Sequence, residues 1–332
     1  MLAIGATVGL WASAFVAIRA TVDDIPPLSL AVVRYMIASA VLAAAMAASR
    51  TNVPRRGAWV RLGIVGFFGI AVYNVALNVG LRSTDAGTAS FLVNTAPIFS
   101  AIFAALLLGE AVPRPVRVGI VFGFLGATLL VLGEGHGLTV EPAALVVLLA
   151  AIAQSLYFIL QKPLLGRYNA LQVVSVAVWI GTALMLPFSG IAVADFWSAP
   201  LSAKLLTLYL GVFPAALAYA LWSIGLRHVP VATAAAFLYA VPPTAVLLAW
   251  GFLGEVPSTL TLVGGAIALT GVVAVNTLRS GPAAPHRRYR RGSWQRPFRV
   301  ADEGVEELPK LVDPGARLAR GQQRRPVPEP PE

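Results

Sequence analysis

The chain of 332 residues is 58% hydrophobic and only 12% charged, and its formal net charge is +10. An ordinary soluble domain is about half apolar and about a quarter charged, so this composition excludes one and indicates a protein whose solvent is the lipid bilayer. The lack of cysteine excludes disulfides and thiolate chemistry, and three histidines leave little for a metal site, so we expect neither metal nor cofactor.

A transmembrane helix needs about 20 consecutive apolar residues, and ten such runs follow one another along the chain. Strands of a membrane barrel would instead alternate over about 10 residues, whereas stretches such as 101–108 are continuously apolar. The sequence therefore predicts an all-α integral membrane protein. Its ten transmembrane helices are predicted over residues 2–20, 28–48, 58–81, 86–108, 115–133, 142–160, 171–193, 203–226, 231–253 and 259–278.

Lysine and arginine predict the orientation of these helices, because cytoplasmic connections carry more of both. With the N-terminus inside, nine basic residues fall on inner connections and three on outer ones. The nine are Arg50, Arg55, Arg56, Arg61, Arg114, Arg117, Lys162, Arg167 and Arg227, and the three are Arg19, Arg82 and Lys204. Both termini are therefore predicted to be cytoplasmic, and an Arg- and Ala-rich composition typical of GC-rich prokaryotic genomes indicates the plasma membrane.

An internal repeat is visible when the chain is compared with itself at an offset of 145 residues. Pro97 falls on Pro242 and Glu110 on Glu255, with the same spacing from proline to glutamate in both copies. The offset relates the third to fifth helices to the eighth to tenth, an odd shift that reverses the direction of crossing. The sequence thus predicts a five-plus-five inverted-topology repeat, typical of transporters, with halves at 1–133 and 142–279. A duplication kept only for packing is the alternative.

The segment Trp11–Arg19, the pair Arg34-Tyr35 and the two segments that run from proline to Gly-Glu resemble the EamA family of the drug/metabolite transporter superfamily. The resemblance covers residues 1–279. It implies a ten-helix transporter that exports amino acids, metabolites or drugs, and it leaves the transported molecule open.

Prolines lie near the middle of corresponding predicted helices in both halves. Pro97 lies in the fourth helix, and Pro242 and Pro243 lie in the ninth. Because proline removes a backbone donor and bends a helix, these positions predict either a hinge that lines a cavity or a static kink.

Polar and aromatic side chains near these kinks predict a central substrate cavity. A buried amide costs several kcal/mol unless it is hydrogen-bonded, so such residues should face the interior of the bundle. Hydrogen bonding between helices is the alternative for any one of them. The cavity candidates other than arginine are Trp11, Asn74, Asn78, Ser90, Asn94, Gln154, Tyr157, Tyr219, Trp222 and Tyr239.

Arg34 is a further cavity candidate, because it lies about 10 Å into the second helix at 1.5 Å per residue. An arginine within the membrane either attracts an anionic group such as a carboxylate or pairs with a helix-end carbonyl. Glu110 and Glu255 end the fourth and ninth helices, where each is predicted to cap the helix that follows or to form a gate salt bridge. For Glu110 the predicted salt-bridge partner is Arg114 or Arg117. Lys162 ends the sixth helix and is predicted to snorkel to the interface or to form part of a gate.

Residues 280–332 differ from the rest of the chain, because they hold nine of the 24 prolines and a run of arginines. We expect a disordered cytoplasmic tail that contacts anionic lipids, without a nucleic-acid partner. Oligomeric state is left open.

No phosphate-binding loop is present and no carboxylate lies mid-span, so facilitated diffusion or exchange is favoured over ATP hydrolysis or direct proton coupling. The predicted function is a secondary transporter that exports a small metabolite, amino acid or drug-like compound by alternating access, rather than an enzyme. The alternatives are a membrane enzyme that acts on lipid-linked substrates and a membrane scaffold that signals through its basic tail.

Overall fold

The computed structural model describes residues 1–80, 92–133, 142–254 and 256–277. In these ranges every regular element is helical, and all of them belong to one compact unit. The first half comprises α1 (Leu2–Arg19), α2 (Pro27–Ala48), α3 (Trp59–Gly66, Phe67–Val72 and Tyr73–Gly80), α4 (Ala96–Leu108) and α5 (Arg114–Gly133). The second half comprises α6 (Pro142–Leu164), α7 (Ala170–Met185 and Ser189–Ser198), α8 (Leu201–Leu210, Gly211–Leu217 and Ala218–His228), α9 (Val231–Ala236, Phe237–Ala240 and Val241–Leu253) and α10 (Thr259–Thr277).

The all-α membrane class is confirmed, because six helices of the described residues are long and apolar enough to cross a bilayer. They lie in α1, α2, α3, α6, α8 and α9, and the two parts of α7 make a seventh if they count as one bent span. The helix predicted over 171–193 is not straight, since α7 bends by 94° around Leu186–Phe188. Pro187, which cannot donate a backbone hydrogen bond, lies within this bend.

The prolines predicted as kinks lie just after helix breaks. Pro97 is the second residue of α4, behind a turn in which the N–H of Thr95 donates to the carbonyl of Leu92. Pro242 and Pro243 open the last part of α9, behind the 3-10 turn Phe237–Ala240. Proline is tolerated in a first helical turn because its missing N–H would have no partner there.

Two π-helical stretches occur in α3 and α8, two helices that the offset of 145 residues relates. They are Phe67–Val72 in α3 and Gly211–Leu217 in α8, and Pro214 lies inside the second. The wider turns leave backbone carbonyls free to bond side chains, which matters for the site described below. The ends of α4 and α9 also match, because Gly109 (φ 64°) and Gly254 (φ 71°) both adopt the left-handed conformation that glycine favours at a helix C-terminus.

Close packing through glycine holds the bundle together. A side chain at Gly66 would collide with the carbonyl of Ala177, so α3 and α7 touch backbone to backbone. The same holds for Gly211 in α8 against the carbonyl of Arg34 in α2. Helices α5 and α10 cross at Gly119 with Gly271 and at Gly126 with Gly264. Small residues of this kind let membrane helices approach closely.

Candidate functional site

Six aromatic rings from four helices meet in the interior of the bundle. The centroids of neighbouring rings lie between 4.4 and 6.3 Å apart, and all six pairs have tilted or edge-to-face geometry. Such pairs are favourable beyond their apolar burial. We call this group the aromatic cluster; it consists of Trp11, Tyr35, Tyr157, Phe158, Tyr219 and Trp222.

The π-helical stretch of α3 makes room for one ring of the cluster. A side chain at Gly69 would lie 2.5 Å from the Cγ of Tyr157, so only glycine lets this ring reach its place. The π-helical stretch of α8 supplies an acceptor, because the indole N–H of Trp11 donates to the carbonyl of Pro214 at 3.3 Å. The two irregular helices thus shape the interior on both sides of the cluster.

Hydrogen bonds join the cluster across the two halves of the chain. The hydroxyl of Tyr35 donates to that of Tyr219 at 3.0 Å. Nearby, the hydroxyl of Ser223 donates to the Oε1 of Gln161 at 2.9 Å. Buried polar bonds of this kind order the interior, because an unmade bond there is costly.

Arg34 reaches the edge of the aromatic cluster from α2. Its Nη2 donates to the Oδ1 of Asn74 at 3.1 Å, and its guanidinium carbon lies 5.0 Å from the ring centre of Tyr35. The amide nitrogen of Asn74 in turn donates to the carbonyl of Ile70 at 2.7 Å, within the π-helical stretch of α3. Asn74 therefore orients the guanidinium toward the interior.

Several donors around the cluster are buried without a protein partner. They are Arg34 Nε, Gln161 Nε2 and Trp222 Nε1, together with the hydroxyl of Tyr239, whose ring packs on Gly123. A buried unpaired donor is rare in a folded protein and calls for an explanation. Donors gathered beside aromatic rings can bind the polar groups of a small amphipathic molecule.

The remaining predicted site residues lie either away from the aromatic cluster or outside the described residues. Gln154 is half-buried on α6 and contributes to none of the ring contacts above. Asn94 is half-buried in the turn before α4. Ser90 and Glu255 lie outside the described residues, as does the side chain of Asn78. No sequence pattern indicated Tyr35 as a member of the cluster, because it follows Arg34 directly and adjacent helical residues do not share a face.

A second polar group lies where α4, α6 and α8 end and α9 begins. Glu110 accepts a hydrogen bond from the N–H of Val231 at 2.8 Å, so it caps α9 rather than the helix that follows it in sequence. Lys162 donates to the carbonyl of Leu226 and to that of Val229 at 2.5 Å. An acid at a helix start and a base at a helix end both suit the helix dipole. We call Glu110, Lys162 and the segment 226–231 the latch.

Burial raises the pKa of the Glu110 carboxyl above its ordinary value, while the N–H groups of Val231 and Ala232 and the charge of Lys162 act in the opposite direction. Arg114 and Arg117, the predicted partners of a Glu110 salt bridge, are exposed on α5. The latch therefore joins Glu110 to α9 and places Lys162 nearby.

An apolar cavity of about 300 Å³ lies toward the opposite ends of α8 and α9 from the latch. Ser13 and Tyr209 face it, and their hydroxyl oxygens are 2.6 Å apart. Ala17, Leu206, Leu248 and Phe252 line the rest. Within the described part of the chain, no three His, Asp or Glu side chains group as metal ligands would.

Comparison with known proteins agrees with this architecture. The family model described as "EamA-like transporter family" matches residues 1–132 and 141–277. A "Probable terminal-alkyne amino-acid exporter" of Streptantibioticus cattleyicolor is 39% identical over 270 residues, which cover 81% of this chain and 91% of that protein. The uncharacterized transporter YdfC of Bacillus subtilis is 34% identical over 265 residues, which cover 80% and 87%.

A crystal structure shares the fold with a TM-score of 0.69 and 24% identity, and the match covers 84% of this chain and 96% of that one. The uncharacterized inner membrane transporter YedA of Escherichia coli K12 is 27% identical over 273 residues, which cover 80% of this chain and 87% of that protein. These matches, together with the apolar helices, identify an inner-membrane transport protein with a small-molecule substrate. The chain belongs to the EamA-like transporter family.

Proposed function

We propose that this transporter exports a small amphipathic metabolite of amino-acid size by alternating access, and that the molecule binds at the aromatic cluster. The carrying observation is the set of buried unpaired donors, Arg34 Nε, Gln161 Nε2 and Trp222 Nε1, beside the rings. The relative from Streptantibioticus cattleyicolor, whose name specifies an amino-acid exporter, supports this substrate class and the outward direction.

Ten membrane helices in a five-plus-five inverted repeat are part of the proposal. Support comes from packing contacts that exchange under the repeat. The contact of Gly119 with Gly271 becomes that of Gly264 with Gly126 when each residue is replaced by its mate 145 positions away, and both contacts occur between α5 and α10. The two π-helical stretches and the two family matches, at 1–132 and 141–277, support the same two halves.

A second contact suggests that the repeat axis also passes between α2 and α7. The hydroxyls of Ser39 and Thr182 are 3.0 Å apart. These residues are separated by 143 positions, as are Pro27 and Ala170, the first residues of α2 and α7, so we take them as mates in the repeat. An axis through the middle of the bundle puts the aromatic cluster at the meeting of the halves, where transporters of this kind bind their substrate.

The latch and the apolar cavity suggest how access alternates. With the N-terminus inside, Glu110 and Lys162 lie on the cytoplasmic side, where they hold the turn between α8 and α9. The cavity beside Tyr209 and Phe252 then lies in the outer half. We propose that this state is closed inward, and that release of the latch opens the cytoplasmic side.

The energy source we propose is the gradient of the substrate itself. Four carboxylates are described, and Asp23, Asp24 and Glu110 lie between helices, while Asp195 lies in the short second part of α7. None is a mid-span proton carrier, which supports facilitated diffusion or exchange. For the basic residues of 280–332 we propose contact with anionic headgroups of the inner leaflet.

Counterflow in proteoliposomes tests the function. Vesicles preloaded with unlabelled leucine, phenylalanine or norvaline should accumulate the labelled compound without a pH gradient. Trp222→Phe, which removes a buried donor of the cluster, should reduce accumulation, whereas Trp250→Phe on the exposed face of α9 should not. Absence of counterflow for every compound, with no change in excreted metabolites in a deletion strain, would overturn the proposal.

A further inference from the structure

We infer that Arg34 is the specificity-determining residue of this site and that it binds a carboxylate on the transported molecule. The inference rests on the proposed function and narrows its substrate class to carboxylates with an apolar body. Two observations support the inference: the contacts that the guanidinium makes, and the residue that occupies the corresponding position in the second half of the chain.

The guanidinium contacts leave its charge without a counterion. Nη2 bonds the neutral amide of Asn74, the ring of Tyr35 lies beside the group, and Nε is buried without a partner. Across the described residues, no carboxylate bonds Arg34. A charge in low-dielectric surroundings is costly unless an opposite charge pairs with it.

The unpaired edge of the group matches the chemistry of a carboxylate. Arginine presents parallel N–H donors that bond both oxygens of a carboxylate at once. Asn74 holds Nη2 through its own bond to Ile70, so the guanidinium is oriented before a ligand arrives. The alternative predicted from the sequence, pairing with a helix-end carbonyl, is not among the contacts observed for Arg34.

Under the proposed repeat, the fold itself does not require a charge at the position of Arg34. The carbonyl of Arg34 packs on Gly211, and the carbonyl of Ala177 packs on Gly66 in the other half. Arg34 and Ala177 are separated by 143 residues, like Ser39 and Thr182, so the two positions are mates. Alanine serves the packing role in the second half, which leaves the guanidinium free for recognition.

The rings beside Arg34 indicate what the rest of the molecule is like. Tyr35 lies against the guanidinium and bonds Tyr219, whose ring packs on those of Trp11 and Tyr157. A molecule whose carboxylate binds Arg34 would therefore place its remaining part against the aromatic rings. An apolar group gains most from that surface.

Binding in nanodiscs tests this inference without requiring transport. Tryptophan fluorescence is titrated with 4-methylpentanoate and leucine and with their matched amides, 4-methylpentanamide and leucinamide. The carboxylates should bind saturably and at least about tenfold more tightly than the amides, the effect expected of a charged hydrogen bond. Arg34→Gln should remove that preference, and the control Arg117→Gln, an exposed arginine of α5, should keep it.

Equal binding of carboxylates and amides by the unchanged protein, or an unchanged preference in Arg34→Gln, overturns the inference. If Arg34→Gln does not fold, Arg34→Ala decides: alanine stands at the mate position, Ala177, and has neither charge nor donors, so an unchanged carboxylate preference there would also overturn the inference. Carboxylate binding without counterflow would refute the proposed transport and leave this inference standing, and counterflow without carboxylate preference would do the reverse.

Discussion

Tyr239 and Tyr209 are both aromatic residues with a hydroxyl inside the bundle, but only one hydroxyl has a partner. That of Tyr239 is buried and unpaired, and that of Tyr209 lies 2.6 Å from Ser13. Tyr239→Phe should therefore raise stability by about 1 kcal/mol or more, because a buried unpaired group is lost, and Tyr209→Phe should lower it by about 1 kcal/mol. Thermal unfolding in detergent gives both values.

The counterflow assay tests whether the unpaired hydroxyl of Tyr239 binds the substrate. If it does, Tyr239→Phe raises KM in the counterflow assay while it stabilises the protein. A variant that is less stable than the parent protein would contradict the assignment of an unpaired hydroxyl, and an unchanged KM would remove Tyr239 from the proposed site.

At the residue scale, composition and helical spacing predicted part of the site. Four aromatic residues with a polar group were predicted to face the interior rather than the lipid, and the structure brings their rings together. They are Trp11, Tyr157, Tyr219 and Trp222. The contact of Tyr35 with Tyr219 could not be predicted, since it spans 184 positions and depends on how α2 packs against α8. Local periodicity carries no information on such contacts.

At the element scale, the π-helical stretch of α3 depends on glycine. Gly69→Ala should displace the Tyr157 ring, because the new Cβ would lie 2.5 Å from its Cγ. We expect a loss of roughly 1–3 kcal/mol, the usual cost of overpacking, together with weaker binding at the aromatic cluster. The control Gly9→Ala in α1 meets nothing within 4 Å and should be neutral or stabilising. Equal stability of the two variants would contradict the packing of Tyr157 on α3.

The breaks within α3, α7, α8 and α9 were beyond the reach of sequence patterns. Hydropathy predicts that a run is apolar, but a π turn or a 3-10 turn has the same composition as a helix. Prolines did give a partial signal, because Pro97 and Pro242 follow the breaks that precede the last parts of their helices. Whether these prolines mark a hinge or a static kink depends on contacts with neighbouring helices, which sequence patterns do not predict.

The latch joins α4, α6, α8 and α9, and we expect its stability to depend on pH through Glu110. The pKa of Glu110 is raised by burial, so the latched state binds a proton more tightly than an open state in which water surrounds the carboxyl. Protonation therefore favours the latch, and this stabilisation is lost as pH rises from the ordinary pKa of glutamate through the raised one. Lys162 is the charged group that faces Glu110 from α6.

We therefore expect slower turnover as the cytoplasmic pH falls through the pKa of Glu110, measured as counterflow in vesicles with a fixed internal pH. Glu110→Gln, a neutral analogue, should remove this dependence and turn over at the slow, acidic rate at every pH. Lys162→Met should move the dependence to higher pH, because Lys162 lowers the pKa of Glu110. Faster turnover of the unchanged protein at low pH would contradict the latch.

At the scale of the whole molecule, the basic residues and the repeat together predict one topology. Among the described residues, six to seven helices are long and apolar enough to cross a membrane by themselves. The α4 and α10 helices contain shorter apolar stretches, Ala96–Leu108 and Thr259–Val275. In the proposed ten-helix arrangement these two would also cross the membrane, as the mates of α9 and α5.

The lack of cysteine makes this topology directly measurable, since single cysteines can be introduced without background. Four exposed positions near helix ends are suitable: Asp24, Asn52, Ser198 and His228. With both termini inside, Asp24→Cys and Ser198→Cys should react with an impermeant maleimide in right-side-out vesicles. Asn52→Cys and His228→Cys should react only in inside-out vesicles. Because Asp24 and Ser198 follow α1 and α7, labelling of these two from opposite sides would contradict a ten-helix inverted repeat, whatever the transport assays gave.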